Sequence, residues 1–422
     1  MTADPIKAKP IGPIPPGFAS EEGMLLIGGA GAQALSHEAG ATPFFAYDAG
    51  LVDARLTALR AAMPEALDVH YAIKANPFAP LLTHMAGRVD GFDIASAGEM
   101  EMALAAGMAA DRISFAGPGK CDAELEGAIR AGVTLNVESE GEADRALAIA
   151  GRLGKAPKLA VRVNPDFDLK GSGMHMGGRA SPFGVDTDRA APLARRLIDA
   201  GAIWRGWHIF AGSQALDSTA IIAAQDATVA LAERLTEAVG ASPPLVNLGG
   251  GLGVPYFPGD EPVDLPSIGA ALAGRLGRRS ALLQNCRFAI ELGRYLVAEA
   301  GVYLTRVVDV KRSRGERFAI VDGGLHHQLA ASGNFGTVVR RNYPLAIANR
   351  MGQPLSPEPL TIVGCLCTPL DRLGDRLALP EVAVGDLVAI FLAGAYGASA
   401  SPERFLGHGA APELLVRMDE AS

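Results

Sequence analysis

Three acidic or basic residues at the ends of apolar runs have side chains fit for chemistry. Lys74 closes the run HYAIK before Ala75-Asn76-Pro77 turns the chain. A lysine there is usually a solvated strand end; as a desolvated amine of lowered pKa it could form a Schiff base. Asp93 lies in GFDIASAGE, where a cap or turn role is the plain alternative. Glu291 ends FAIE and leads into Gly293-Arg294. Its plain reading is a structural ion pair. Its chemical reading is a buried carboxylate facing a ring nitrogen, with Arg294 near for an anion. Gly249-Gly250-Gly251 follows LVNL. Three glycines let backbone N–H groups approach a phosphate, although tight turns use glycine as well.

Other candidates are weaker singly. His208, Phe210 and Ser213 share the segment HIFAGSQ, and Tyr396 lies in GAYG. Cys367 lies in GCLCTPLD, and isolated cysteines are mostly inert core residues. The four cysteines, Cys121, Cys286, Cys365 and Cys367, form no disulfide framework. Cys365 and Cys367 form a lone C-x-C without the second pair that a zinc site needs. His326-His327 in DGGLHHQL has no third ligand in view along the chain, so no metal site is expected.

The elements that must position these groups alternate. Strand-like runs occur at 69–73, 91–94, 113–115, 135–137, 159–163, 207–210, 245–248 and 287–291, mostly separated by helical patterns. They are short and apolar on both faces, as parallel strands covered on both sides should be. Eight of them favour a (β/α)8 TIM barrel over an open doubly wound sheet. In such a barrel the strand C-terminal ends carry the active site, and Lys74 and Glu291 fall there. After about residue 300 the texture changes to strands at 302–310, 318–321, 360–363 and 387–391. The expected division is a segment 1–48 contributing to a second, β-rich domain, a barrel over 49–300, and the rest of the β-rich domain over 301–422.

Bulk properties exclude several function classes. With 422 residues the chain is too long for one ordinary core. Its 38 basic and 46 acidic residues give a net charge of −8, and no basic stripe is visible, so nucleic acid is not expected as a partner. No apolar run approaches the length of a membrane span, and the proline-broken N-terminus has no signal-like core. A cytoplasmic protein is the default expectation.

Taken in order, HYAIKANP, SAGE, GGG, ELGR, VDGG, CTPLD and GAYG resemble the fold-type III pyridoxal-phosphate decarboxylases, the group with diaminopimelate, ornithine and arginine decarboxylases. The likeness is nearest to the diaminopimelate-decarboxylase-like branch, including its exosortase-associated members, and runs from about residue 40 to 408. It implies a pyridoxal 5'-phosphate enzyme that decarboxylates an amino acid or amino-acid-like substrate, free or tethered to a carrier protein. It also implies a homodimer with shared active sites. By position, Lys74 resembles the Schiff-base lysine and Glu291 the acid that pairs with the pyridine nitrogen. Gly249, Gly250, Gly251, Arg294, Ser213 and Tyr396 resemble the phosphate-binding group, and Asp93 and Arg162 match positions near the cofactor. Cys367 resembles the partner-donated catalytic cysteine that returns a proton to Cα, with Asp371 its neighbouring acid.

The departures fall on substrate recognition. The family's ring-stacking histidine position is Phe210 here, and His208 sits two residues earlier. The acid that reads a distal amine just after the cysteine is Thr368. The family's Arg-Pro-x-Leu-Tyr stretch is replaced by LHHQLAASGNFG, placing His326 and His327 among the candidate substrate contacts. An amino-acid racemase of the same barrel type would place an arginine at the ring nitrogen, which Glu291 argues against. A non-catalytic cofactor-binding homologue would not need both Lys74 and Cys367.

Overall fold

The computed structural model of the chain describes residues 7–171, 173–175, 177–334 and 340–417. The chain divides into two compact units. One is Leu56–Val254 with Pro262–Tyr295; the other is Met1–Arg55 with Pro255–Glu261 and Leu296–Ser422. The short excursion Pro255–Glu261 has no counterpart in the sequence reading.

The first unit is the expected barrel. Its strands are β1 (Leu67–Ala72), β2 (Gly91–Ile94), β3 (Ile113–Phe115), β4 (Thr134–Val137), β5 (Lys158–Asn164), β6 (Ile203–Ile209), β7 (Leu245–Asn247) and β8 (Arg287–Leu292). Each pairs in parallel with the next, and β8 pairs back onto β1, so the eight strands close into a barrel. All eight strand runs read from the sequence are present. Their residues are almost all buried, as strands between a packed interior and a ring of helices must be.

The helices carry clear stop and start chemistry. Ser96 and Ser139 accept the N–H of the residue three further on, capping the helices Ala97–Ala105 and Glu140–Leu153. Gly132, Gly154 and Gly240 end theirs in the left-handed conformation. One helix, Leu265–Gly277, escapes the sequence reading because glycines interrupt its pattern. A Cβ on Gly269 would lie 1.9 Å from the Ala62 carbonyl, so close packing against a neighbouring helix end, rather than helix propensity, selects the residue.

The second unit is β-rich. Its sheet runs Leu345–Ile347, Leu387–Phe391, Gly301–Ser313, Glu316–Val321, Leu360–Val363 and Arg372–Leu377. The early strand Phe44–Asp48 joins it beside Gly301–Leu304, and Glu413–Val416 joins in turn. The long strand shifts register between Val307 and Asp309, so its two halves serve different neighbours. Leu25, Ile27, Phe44, Leu304 and Phe391 are among the fully buried residues of its core. Among the described residues no helix is long and apolar enough to cross a membrane.

Candidate active site

The barrel's C-terminal end gathers five of the predicted residues. Lys74, Asp93, Arg162, His208 and Glu291 line one cavity of about 500 Å³. Lys74 sits in a single 3-10 turn, Ile73–Ala75, just beyond β1. Ile73 and Ala75 are buried while Lys74 is exposed, so the turn is anchored by its flanks and presents the amine. Lys74 lines the cavity together with Asp93, Arg162, His208 and Glu291. A second cavity, about 380 Å³, opens among Asp68, Asp90, Arg112 and Arg287. Asp68 and Arg287 begin their strands, and that end of a barrel serves stability rather than chemistry.

Glu291, from β8, is buried beside two partners. His208 Nε2 lies 2.9 Å from Glu291 Oε2, and Asn247 Nδ2 donates to the same oxygen at 3.1 Å. His208, Asn247 and Glu291 come from three successive strands, which is why period-two alternation points them into one space. Burial alone would raise the Glu291 pKa. The His208 charge and hydrogen bond outweigh it, with Lys74 and Arg162 adding, and hold the carboxyl well below the usual carboxylate range. Glu291 is thus a fixed negative charge at the barrel mouth.

Asp93 and Arg162 are held from behind. Asp93 Oδ2 lies 3.4 Å from His70 Nδ1. Burial disfavours a charged His70, but Asp93, then Asp68 and Glu291, more than compensate, and its pKa rises. Arg162 Nη1 pairs with Glu138 Oε1 at 2.9 Å, and the Gly117 and Gly184 N–H groups donate to the same carboxylate. Against burial, Arg162 and then Lys120 keep Glu138 ionised.

The glycine run turns at the end of β7. A Cβ on Gly250 would sit 2.4 Å from the Glu291 carbonyl, and one on Gly249 would sit 2.7 Å from that of Ile209. The Gly249 N–H donates to the Asn247 side chain at 2.8 Å, so one amide orients both the turn and Glu291. Phe210 packs on this turn: a Gly249 Cβ would lie 3.0 Å from its ring, while His208 is the one that lines the cavity. Ser213 lies on the short strand Gly212–Ser213, and Arg294 opens the helical turn after Gly293. These residues fit pyridoxal phosphate. Asp93 Oδ1 and His208 Nδ1 are buried polar atoms with no hydrogen-bond partner among the described residues, and the backbone at Gly249 and Gly250 has no room for side chains.

The remaining candidates belong to the β-rich unit. Cys367 is exposed, and Thr368 is half-buried, its hydroxyl accepting the Leu370 N–H. Asp371, the acid neighbouring Cys367, is buried, and its two oxygens accept the Leu325 and Leu366 N–H groups. Burial raises its pKa against those bonds. His327 is tied to the Tyr303 hydroxyl and the Gly409 carbonyl. His326 is fully buried, and burial, then His327 and His408, push it down to about 3. Tyr396 adopts a left-handed backbone (φ 55°), a costly conformation that clusters at functional sites. Residues 335–339 of the rewritten loop lie outside the described residues. Cys365 and His408 each bring one possible ligand atom within 4.8 Å of that of His326. The chain separates them from it by 39 and 82 residues, so no local spacing could show this.

Three supporting residues escaped the sequence reading. Asn247 was in view as part of LVNL, and its place two residues before Gly249 was the available signal. Glu138 and His70 lie within or beside strands, where a polar residue in an apolar run was the only hint.

The family profile described as pyridoxal-dependent decarboxylase, pyridoxal binding domain, matches residues 49–298. The chain is 37% identical over 384 residues to the L-glutamyl-[BtrI acyl-carrier protein] decarboxylase of Niallia circulans, covering 89% of each. It is 33% identical over 409 residues to the diaminopimelate decarboxylase of Methanothermobacter thermautotrophicus, covering 94% of this chain and 92% of that one. The crystal structure of diaminopimelate decarboxylase from Helicobacter pylori complexed with L-lysine superimposes with a TM-score of 0.78 at 28% identity, covering 88% of this chain and 91% of that one. The chain belongs to the pyridoxal-dependent decarboxylases and is a lyase that uses pyridoxal phosphate to decarboxylate an amino acid or amino-acid-like substrate.

Proposed function

We propose that the substrate of this decarboxylase is an amino acid whose distal end carries no free ammonium group, delivered as a thioester or amide on a carrier protein. Thr368 carries this reading. It stands where the resemblance places an acid for a distal amine, and a neutral hydroxyl cannot neutralise a cation. The relative that acts on a carrier-bound glutamyl group supports the tethered form.

Within this reading Lys74 holds the cofactor covalently, and Gly249–Gly251, Ser213, Arg294 and Tyr396 hold its phosphate. Bound pyridoxal phosphate supplies an electron sink for the pair left behind by the departing carboxylate. Glu291, kept ionised by His208, holds a proton at the ring nitrogen. Asn247 fixes the direction of that carboxylate. Cys367, reaching from the partner of a homodimer, returns the proton to Cα as a general acid. The racemase reading finds no support, since Glu291, which the resemblance assigns to the ring nitrogen, is held ionised.

The test is carbon dioxide release from glutamate and aspartate, each free and loaded on a carrier protein through its side-chain carboxyl so that the α-carboxylate stays free, and from free lysine and free meso-diaminopimelate. The expected result is turnover of the carrier-bound acidic or neutral substrates above all free amino acids. Efficient turnover of free lysine or free meso-diaminopimelate would overturn it.

A further inference from the structure

We propose that His326, Cys365 and His408 bind one divalent transition-metal ion of the zinc class through three protein ligands, with a fourth position open to solvent. The reaction roles proposed above use none of these three side chains, although His326 lies in the rewritten loop that faces substrate recognition; all three belong to the β-rich unit.

Each residue offers one ligand atom, and all three atoms lie within 4.8 Å of one another. Cys365 Sγ and His408 Nε2 are 3.9 Å apart. In a tetrahedral zinc site, metal–sulfur and metal–nitrogen bonds of about 2.3 and 2.0 Å put sulfur and nitrogen roughly 3.6 Å apart. A shift of a few tenths of an ångström therefore brings this pair to coordination distance. The ring centroids of His326 and His408 are 4.4 Å apart.

His326 points to a ligand independently of these distances. It is fully buried, and neither ring nitrogen has a hydrogen-bond partner among the described residues. Buried imidazole nitrogens are nearly always satisfied, so this one lacks a partner that an ion would supply. Cys365 and His408 are exposed, which leaves a path for the ion from solvent.

The three segments are also tied together. Asp371 accepts the N–H of Leu325, just before His326, and that of Leu366, just after Cys365. The Cys365 N–H donates to the Gly323 carbonyl at 3.0 Å. His327 Nε2 meets the Gly409 carbonyl, just after His408, at 2.9 Å. Asp371 and His327 are therefore positioning residues, holding ligand-bearing segments at fixed separation, as supporting shells do around metal sites. One thiolate and two imidazoles favour zinc over the oxygen-seeking cations magnesium and calcium.

The test uses the holoenzyme, freed of metal by a chelator and dialysed against zinc or cobalt(II). The expected result is one equivalent of zinc per chain, with X-ray absorption showing one sulfur and two nitrogen neighbours. Cobalt should give visible tetrahedral d–d bands at wavelengths beyond the cofactor's absorption. Cys365→Ser and His408→Ala, both at exposed positions, should each lose at least tenfold in zinc affinity, while Cys367→Ser keeps it. Wild-type protein that takes up no more zinc than these two variants would overturn the proposal. So would loss of binding in Cys367→Ser with retention in Cys365→Ser. Retained cofactor absorbance in every variant shows that folding is not the cause.

Discussion

His208 and Glu291 meet at 2.9 Å in the barrel mouth, both buried, one from β6 and the other from β8. The contact sets the charge state of Glu291, and that state has two measurable consequences. Glu291→Gln keeps the shape and removes the charge. Its kcat should fall roughly 10²–10³-fold, the usual cost of removing one preorganised electrostatic partner. Acid stability should change as well. The folded pKa of Glu291 lies below its unfolded value, so its contribution is fully present above the ordinary glutamate range. That contribution is lost as pH falls through that range towards about 2. Acid titration followed by circular dichroism should show wild type losing more stability than Glu291→Gln in that window. Parallel curves would mean that the pair does not depress Glu291.

Asn247 serves two masters, Glu291 through its amide nitrogen and Gly249 through its amide oxygen. Asn247→Ala leaves a buried carboxylate oxygen and a buried N–H each short of a partner. Each should cost about 1–3 kcal/mol. Urea unfolding should show a lower midpoint with an unchanged slope. Phosphate affinity should fall too, because the glycine turn loses its anchor. A variant with wild-type stability and cofactor affinity would remove Asn247 from the design.

What the sequence reveals depends on locality. Parallel strands buried on both faces write short apolar runs, so all eight barrel strands can be read directly. Lys74 and Glu291 follow because strand ends are legible once the strands are. Helix Leu265–Gly277 hides because its glycines answer to a neighbour's backbone. The strands Leu345–Ile347, Arg372–Leu377 and Glu413–Val416 hide because they are short or carry charged residues. Contacts across strands are invisible in a different way. Nothing near Asn247 names Glu291 as its partner, and nothing near His326 names His408. Asp371 is legible in CTPLD as an acid near Cys367, but nothing there shows that its oxygens accept the Leu325 and Leu366 N–H groups, the first of them from a segment 46 residues earlier.

The shared-site reading predicts complementation. Lys74 and Cys367 lie in different units of the chain, and the resemblance places the cysteine in the partner's site. Lys74→Ala and Cys367→Ala should each be inactive alone. Mixed and allowed to exchange, they should recover up to about a quarter of wild-type activity, since half the dimers are hybrids with one intact site of two. Subunit exchange is followed separately by native mass spectrometry of tagged protomers. Demonstrated exchange without recovery would mean that each site is built within one chain.

Thr368 predicts discrimination against diamino acids. Its hydroxyl already accepts the Leu370 N–H, and its position offers no charge to a distal ammonium ion. A buried cation without its partner costs about 3–5 kcal/mol. Each 1.36 kcal/mol is about tenfold in rate, so discrimination should exceed roughly a hundredfold. Free lysine, ornithine and meso-diaminopimelate should therefore all show kcat/KM below about 10⁴ M⁻¹s⁻¹, the low end of ordinary enzyme efficiency. Thr368→Glu should move the preference the other way, improving the diamino acids relative to acidic substrates through KM more than kcat. A wild-type value above that threshold for any of the three would show that Thr368 does not exclude a basic side chain. An unchanged ratio in Thr368→Glu would place the substrate's distal end elsewhere.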